Sequence, residues 1–215
     1  MRETLPQVQH ELQGWTLFWA SFADLKDVAE LGVLRAEAVA RARASYVQEK
    51  LAEHPTVAAV RALFRQAGCD PTRYRPSSEA LLRRVLKGEE LPAIHPMVDL
   101  NNCLSIDLAV PACVIDAGVA KSPFVLRAGR EGERMASMRG DFDLNGKPLL
   151  SDQDGPFGTP ITDSERVKVR LATRNVWLVA YLPAGAVSAE CASTVLESLL
   201  AAAPVARLVA TGTSG

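Results

Sequence analysis

The sequence predicts an α+β fold: a mixed β-sheet core with packed helices, preceded by a mainly helical N-terminal region. Three observations predict it. Helical signals dominate as far as Gly88, short β-like segments follow "ELPAIHP", and one of these, "VWLVAYL", is apolar on both faces, as a central strand must be. The 215 residues suit one sizeable domain, or one domain with a smaller attached element, and a composition of 48% hydrophobic and 23% charged residues is that of a globular chain.

Taken in order, "WTLFWA" at Trp15 to Ala20 is short, aromatic and β-prone, and Ser21 with Asp24 three residues later reads as the N-cap of a helix. The alanine-rich run Ala36 to Ala44 is helical in composition. Thr56 caps a helix with Val57, Val60, Phe64 and Ala67 on its inward face and Gly68 at its end. Ser77 caps the next, with Glu79 in the first turn, Leu81, Leu82, Val85 and Leu86 as the buried stripe and Gly88 as terminator. Val98 to Leu108 is one more helix before Pro111. Strands are predicted at Cys113–Asp116, Phe124–Arg127, Arg166–Ala172 and Val176–Leu182; in "RVKVRL" apolar and basic residues alternate as in a strand with one wet face. Ser188 opens a last helix with Ala192, Val195, Leu196, Leu199 and Leu200 inward, ended by Pro204.

Several function classes lack their signatures. Met1 to His10 has no apolar run with a basic flank, and the apolar stretches are too short to cross a bilayer, so neither secretion nor membrane insertion is implied. Cys69, Cys103, Cys113 and Cys191 form no C-x-x-C pair and the histidines stand apart, which reads as reduced thiols in a cytoplasm with no metal site. No Walker loop, G-x-G-x-x-G, G-x-S-x-G or H-E-x-x-H occurs, and no cofactor is expected. Asp141, Asp143, Asn145, Gly146 and Asp152 fall on positions of a calcium-loop template, but the twelfth position lacks its Glu. The Asn145-Gly146 pair reads instead as a tight hairpin turn. His10, His54 and His95 are solitary, with capping or surface roles expected, and Trp15, Phe18 and Trp19 read as core.

Net charge is −1, yet between Arg61 and Lys87 seven basic residues face two acidic ones. Two readings stand: a solvated helix face, or a patch for phosphate carried by Arg73, Arg75, Arg83, Arg84 and Lys87.

"YRPSSEALLRRVLKGEELPAIHPMVDLNNCLSIDLAVPACVID", Tyr74 to Asp116, resembles the B-three/B-four module of the phenylalanyl-tRNA synthetase beta chain and its stand-alone relatives. "VDLNNCLSIDLAVP" followed by Asp116 is its most specific piece. The similarity continues through "VLRAGREGE", "LLSDQDGPFGTPITDSERV" and "VWLVAYLP", and divides the chain into a 1–53 strand-helix region and a 54–215 editing-type domain. In the synthetase this module hosts a second sieve that removes wrongly attached tyrosine from tRNA. The resemblance implies a pocket in which Asn102 is the asparagine of the helix motif, Asn101 lies adjacent, Asp116 closes the strand motif, and Gly155 and Gly158 form the glycine-rich turn. Cys113 stands where the family has a histidine, and Thr159 or Pro160 where it has a glutamate. Asp154, Asp163 and Ser164 are suited to hold an amino group or sugar hydroxyl, and equally to cap turns. Catalytic residues are not assigned. The implied partners are tRNA or aminoacyl-tRNA, with free amino acid as a further ligand. The implied function is hydrolysis of mischarged tRNA in trans; the alternative is a non-catalytic binding module. Complete aminoacylation is excluded, because the chain is too short and lacks ATP-site motifs.

Overall fold

A computed structural model describes residues 5–26 and 31–215. The elements run β1 (Val8–His10), β2 (Trp15–Ala23), α1 (Gly32–Ser45), α2 (Pro55–Gln66), α3 (Ser77–Leu86), α4 (Pro96–Leu108), β3 (Ala112–Asp116), β4 (Phe124–Ala128), β5 (Arg134–Ser137), β6 (Gly140–Asp143), β7 (Pro148–Asp152), β8 (Gly155–Gly158), β9 (Val176–Pro183), α5 (Ala189–Ala202) and β10 (Arg207–Ser214). The fold is α+β, as expected.

One antiparallel sheet has the order β10-β2-β9-β3, and a second, mixed sheet the order β1-β4-β7-β8, with β1 parallel to β4. The first sheet separates two apolar cores. Alternation along β2 and β9 decides which residue enters which. Phe18, Ala20, Phe22, Val176, Leu178, Ala180 and Leu182 point to the helices α1, α3, α4 and α5. Trp15, Leu17, Trp19, Val179 and Tyr181 point to the second sheet and α2. Strand β9 is therefore buried on both sides, and its apolar run is explained.

The helices follow their sequence signals closely. Val57, Val60 and Phe64 are buried on α2, Leu82 and Val85 on α3, and the Ser188 hydroxyl accepts the Cys191 N–H at the start of α5. The cap positions before α2 and α3 are His54 and Pro76, so Thr56 and Ser77 lie inside the first turns. Proline following the cap pre-sets the helical φ of α2 without losing a bond.

Four expectations are corrected. Ser21 is no N-cap: β2 continues through it to Ala23, because Ser21 pairs with Trp177 of β9. Residues 27–30, where that helix would have run, lie outside the described residues. The region before α4 is less helical than expected, since β2 supplies a central strand. Arg166–Ala172 forms no strand: a short 3-10 turn at Glu165–Val167 leads into a loop, and the cations bind locally, Arg166 to Asp152 and Lys168 to Glu165. Asn145-Gly146 does not join paired strands either. β6 pairs with β5 while β7 pairs with β4 and β8, and Gly146 instead packs its backbone on Gly68.

Candidate functional site

Strand β3 leaves the end of α4 and lies at the edge of the first sheet, with Cys113 opposite Val179 of β9. Period-two alternation turns Cys113 and Ile115 towards the second sheet, the same side as Tyr181. Gly158, at the end of β8, faces them: a Cβ built there would stand 3.2 Å from Asp163 Oδ1 and 3.7 Å from the Tyr181 hydroxyl. Asp163 is held opposite by a bridge to Gly158 and by its own carbonyl, which accepts the Met138 N–H.

Cys113, Gly158, Asp163 and Tyr181 thus meet in one polar niche within the apolar cluster that includes Phe157 and Ile161; Asp163 is partly exposed as a residue, but its Oδ1 is buried. Two of its polar atoms, Asp163 Oδ1 and the Tyr181 hydroxyl, are buried with no oxygen or nitrogen partner, and the weakly bonding Cys113 thiol lies against both groups. Each such atom costs about 1–3 kcal/mol relative to a satisfied one. Burial raises the Asp163 carboxyl to about 7, against weaker lowering by the Cys113 thiol and the Thr159 backbone. Burial also pushes the Cys113 thiol well above its ordinary value, and the neighbouring Asp163 adds to the effect. Cys113 therefore stays protonated at neutral pH and is no thiolate nucleophile. Asp163 is poised to gain or lose a proton near neutrality, the property a general base or an amine-binding carboxylate needs.

The other predicted pocket residues lie elsewhere. Asn101 is buried on α4, on the opposite side of the sheet; its amide donates to the Ala112 carbonyl at 3.1 Å while Oδ1 has no partner. Asn102 is half-buried beside it. Asp116 ties the end of β3 to the following loops, accepting the Gly118 N–H at 2.9 Å and the Thr173 hydroxyl at 2.6 Å. Asp154 and Gly155 form the β7–β8 turn, where Asp154 pairs with Lys121 at 2.9 Å and Gly155 has φ of 110°. The hydroxyls of Thr159 and Ser164 bond backbone, Thr159 to the Thr162 carbonyl and Ser164 to Ala136 and the Arg166 N–H. They shape the loop that carries Asp163. Tyr181 went unrecognised in the sequence, because in a strand that also carries Trp177 an aromatic residue reads as core, and its hydroxyl needs a partner only once burial is known.

The predicted phosphate patch is largely neutralised from within. The fully buried Glu79 carboxylate meets Arg61 at 2.9 Å, Arg83 at 2.9 Å and Arg75 at 3.5 Å, and Arg84 pairs with Glu89. Arg73 and Lys87 have no carboxylate partner among the described residues, and Arg73 lies over the Tyr74 ring. The calcium-template acids also diverge: Asp141 binds Arg134, Asp143 the Asn145 N–H and Asp152 Arg166. Among the described residues no three metal-ligating side chains converge, and no helix is long and apolar enough to cross a membrane.

The sequence that builds this sheet and niche defines the class of protein. The family model of the B3/4 domain matches residues 59–199, and the chain belongs to that family. It is similar to the phenylalanine–tRNA ligase beta subunit of Bartonella henselae, with 31% identity over 103 residues, 46% of this chain and 13% of that one. For the same subunit of Bartonella quintana the figures are 32% over 89 residues, 40% and 11%. The chain thus aligns with only about an eighth of these relatives' length. Among solved structures it matches an N-terminal fragment of the phenylalanyl-tRNA synthetase beta-subunit from Pyrococcus horikoshii. That match has TM-score 0.49 and 15% identity, covering 100% of this chain and 56% of that one.

Proposed function

We propose that this B3/4 chain is an editing-type module, acting in trans in the cytoplasm, that binds aminoacyl-tRNA and receives the amino-acid end in the niche between β3, β8 and β9. The observation that carries the proposal is the meeting of Asp163, Tyr181 and Cys113 against Gly158, where Asp163 Oδ1 and the Tyr181 hydroxyl are buried with no oxygen or nitrogen partner and a side chain larger than glycine would crowd them. Natural proteins keep such groups where a ligand completes them. An α-amino group or an ordered water has the chemistry for both, donating to the carboxylate and bonding the phenol, and its entry requires Asp163 or Tyr181 to shift, since even a Cβ at Gly158 would stand 3.2 Å from Asp163 Oδ1. Hydrolysis there uses water activated by Asp163, since an aminoacyl ester is already reactive and Cys113 is held neutral.

Release of amino acid from a panel of mischarged tRNAs, measured against the buffer rate, tests this. The native chain accelerates release from at least one tRNA. Gly158→Ala, whose methyl enters the niche, abolishes the acceleration at a stability cost of about 1 kcal/mol. No acceleration on any tRNA sinks the catalytic reading. One feature favours the non-catalytic alternative: the larger surface cavities among the described residues, such as those beside Arg170, Asp107 and His54, are not lined by Cys113, Asp163 or Tyr181. That reading predicts calorimetric binding of amino acid or tRNA, lost in Gly158→Ala, without turnover; failure to bind either removes it.

A further inference from the structure

A ligand that enters the Asp163 niche must displace one of its walls, and the walls are not equally fixed. Cys113 is held in the β3 ladder opposite Val179, and Tyr181 lies in β9 opposite Leu17, with its N–H on the Pro111 carbonyl at 2.8 Å and its ring edge-on to Trp15, centroids 6.1 Å apart. Neither side chain has solvent to turn into, since Tyr181 is 0% and Cys113 4% exposed. Gly158 is buried and has no side chain to move. Asp163 alone of the four is partly exposed as a residue. Its main chain is tied by the bridge to Gly158 and by the carbonyl that accepts the Met138 N–H at 3.0 Å, while its carboxyl remains free to rotate about the side-chain bonds.

The charges around the cluster favour the same movement. Cys113 on β3 and Tyr181 on β9 are the titratable groups that face Asp163, and burial keeps both neutral near pH 7. The charged side chains of the other elements packed here are engaged or face solvent. Beyond Ser164, Glu165 meets Lys168 and Arg166 meets Asp152. The lead-in to α3 touches this loop through the Ser77 N–H and the Pro160 carbonyl, and its Arg75 meets Glu79. At the tip of the β5–β6 hairpin Arg139 is exposed. An ionised Asp163 inside the niche therefore has the weak Cys113 donor and the Thr159 backbone to offset the loss of water. Turned outward, the same carboxylate is hydrated.

We propose that Asp163 is the door of the niche: its side chain turns about its own bonds from the niche to solvent, uncovering the Cys113 thiol and the Tyr181 hydroxyl while the main chain and the sheet stay in place. Protonated, the carboxyl rests inside and the niche is shut; ionised, it turns to water and the niche opens. The door rests on the reading of this niche as the place that receives an amino-acid end, and it names the wall that yields and the proton that controls it.

Alkylation of the full chain with iodoacetamide, followed by peptide mass spectrometry, reads the door through the four thiols. Cys191 is exposed and sets the intrinsic reaction rate at each pH, while Cys69 and Cys103, buried in the two cores, report any wider unfolding. Relative to Cys191, labelling of Cys113 rises about tenfold for each pH unit up to about pH 7 and levels off above it, and Cys69 and Cys103 stay unlabelled. Asp163→Ala has no carboxyl to shut the niche and labels Cys113 faster than the native chain at pH 5. Asp163→Asn keeps the shape without the charge, so its labelling is slow and does not change with pH relative to Cys191; it carries the test if the alanine variant fails to fold. A native Cys113 ratio that is flat with pH, Cys69 or Cys103 rising together with Cys113, or native-like slow labelling in a folded Asp163→Ala overturns the proposal. The experiment contains no tRNA, so the two readings fail separately: gated labelling without release of amino acid removes the editing reading alone, and release without gated labelling removes the door alone.

Discussion

Burial shifts the Asp163 carboxyl from 3.8 to about 7, and the consequence is a pH-dependent stability of defined sign. The folded state keeps its proton up to about pH 7 while the unfolded chain loses it near 3.8, so the folded state binds more protons between those values. The contribution of Asp163 is complete below about pH 4, falls as pH rises towards 7 and levels off above it, while Glu133 and Asp152, lowered by their arginine partners, contribute with the opposite sign in acid. At about 1.4 kcal/mol per tenfold, the drop is on the order of 4 kcal/mol. Asp163→Asn, which cannot ionise, flattens the curve across this window; urea denaturation of both proteins at pH 4.5, 6 and 8 measures the difference, and parallel curves would show that Asp163 is not buried as described. At this scale the sequence was informative about Cys113, Gly158 and Asp163, whose types mark a polar turn against a strand. It was silent about Tyr181, because a phenol and a phenyl satisfy the same hydrophobic pattern until the surroundings of the hydroxyl are known.

Helix α3 shows how one element's interior charge governs its outer face. Glu79 lies in its first turn, where the dipole favours a carboxylate, and its inward position draws Arg61, Arg75 and Arg83 onto it. Removing one partner of such a cluster strands the others. Glu79→Gln is expected to lower unfolding stability by about 3 kcal/mol, read from the urea midpoint. It also frees cations at the surface, so non-specific RNA binding at low salt strengthens; unchanged stability would mean the three arginines are held by solvent and not by Glu79. Element identity was readable where helical periodicity set an inward stripe, as in α2, α3, α4 and α5, although the caps of α2 and α3 fall at His54 and Pro76 and not at Thr56 and Ser77. It failed at "RVKVRL", where alternation alone suggested a strand. A strand also needs a neighbour to pair with, and here the basic side chains find local partners, Asp152 for Arg166 and Glu165 for Lys168. In the second sheet β4 was predicted at Phe124–Arg127, while β1, β7 and β8, three to five residues long, went unpredicted, and the pairing that joins β1 to β4 spans more than a hundred residues.

The first sheet decides whether the molecule divides at residue 53. Strand β2, from before that point, is the hydrogen-bonded neighbour of both β9 and β10, in register from Trp15 against Pro183 to Phe22 against Val176. It also supplies both cores at once, Phe18 and Phe22 on the helical side and Trp15, Leu17 and Trp19 on the other. Composition carries no trace of this, because a strand's sheet partners are set by long-range register. Loss of one large buried side chain costs about 2–5 kcal/mol, and a domain's whole stability is about 5–15 kcal/mol. Removing five such side chains together with two ladders exceeds that margin. A chain of residues 54–215 is therefore expected to show no cooperative thermal transition and no near-ultraviolet circular dichroism, and adding back a peptide of residues 5–26 is expected to restore neither fully. A cooperative transition in the truncated chain would establish the division at residues 53 and 54 and make β2 an accessory to a sheet that stands without it.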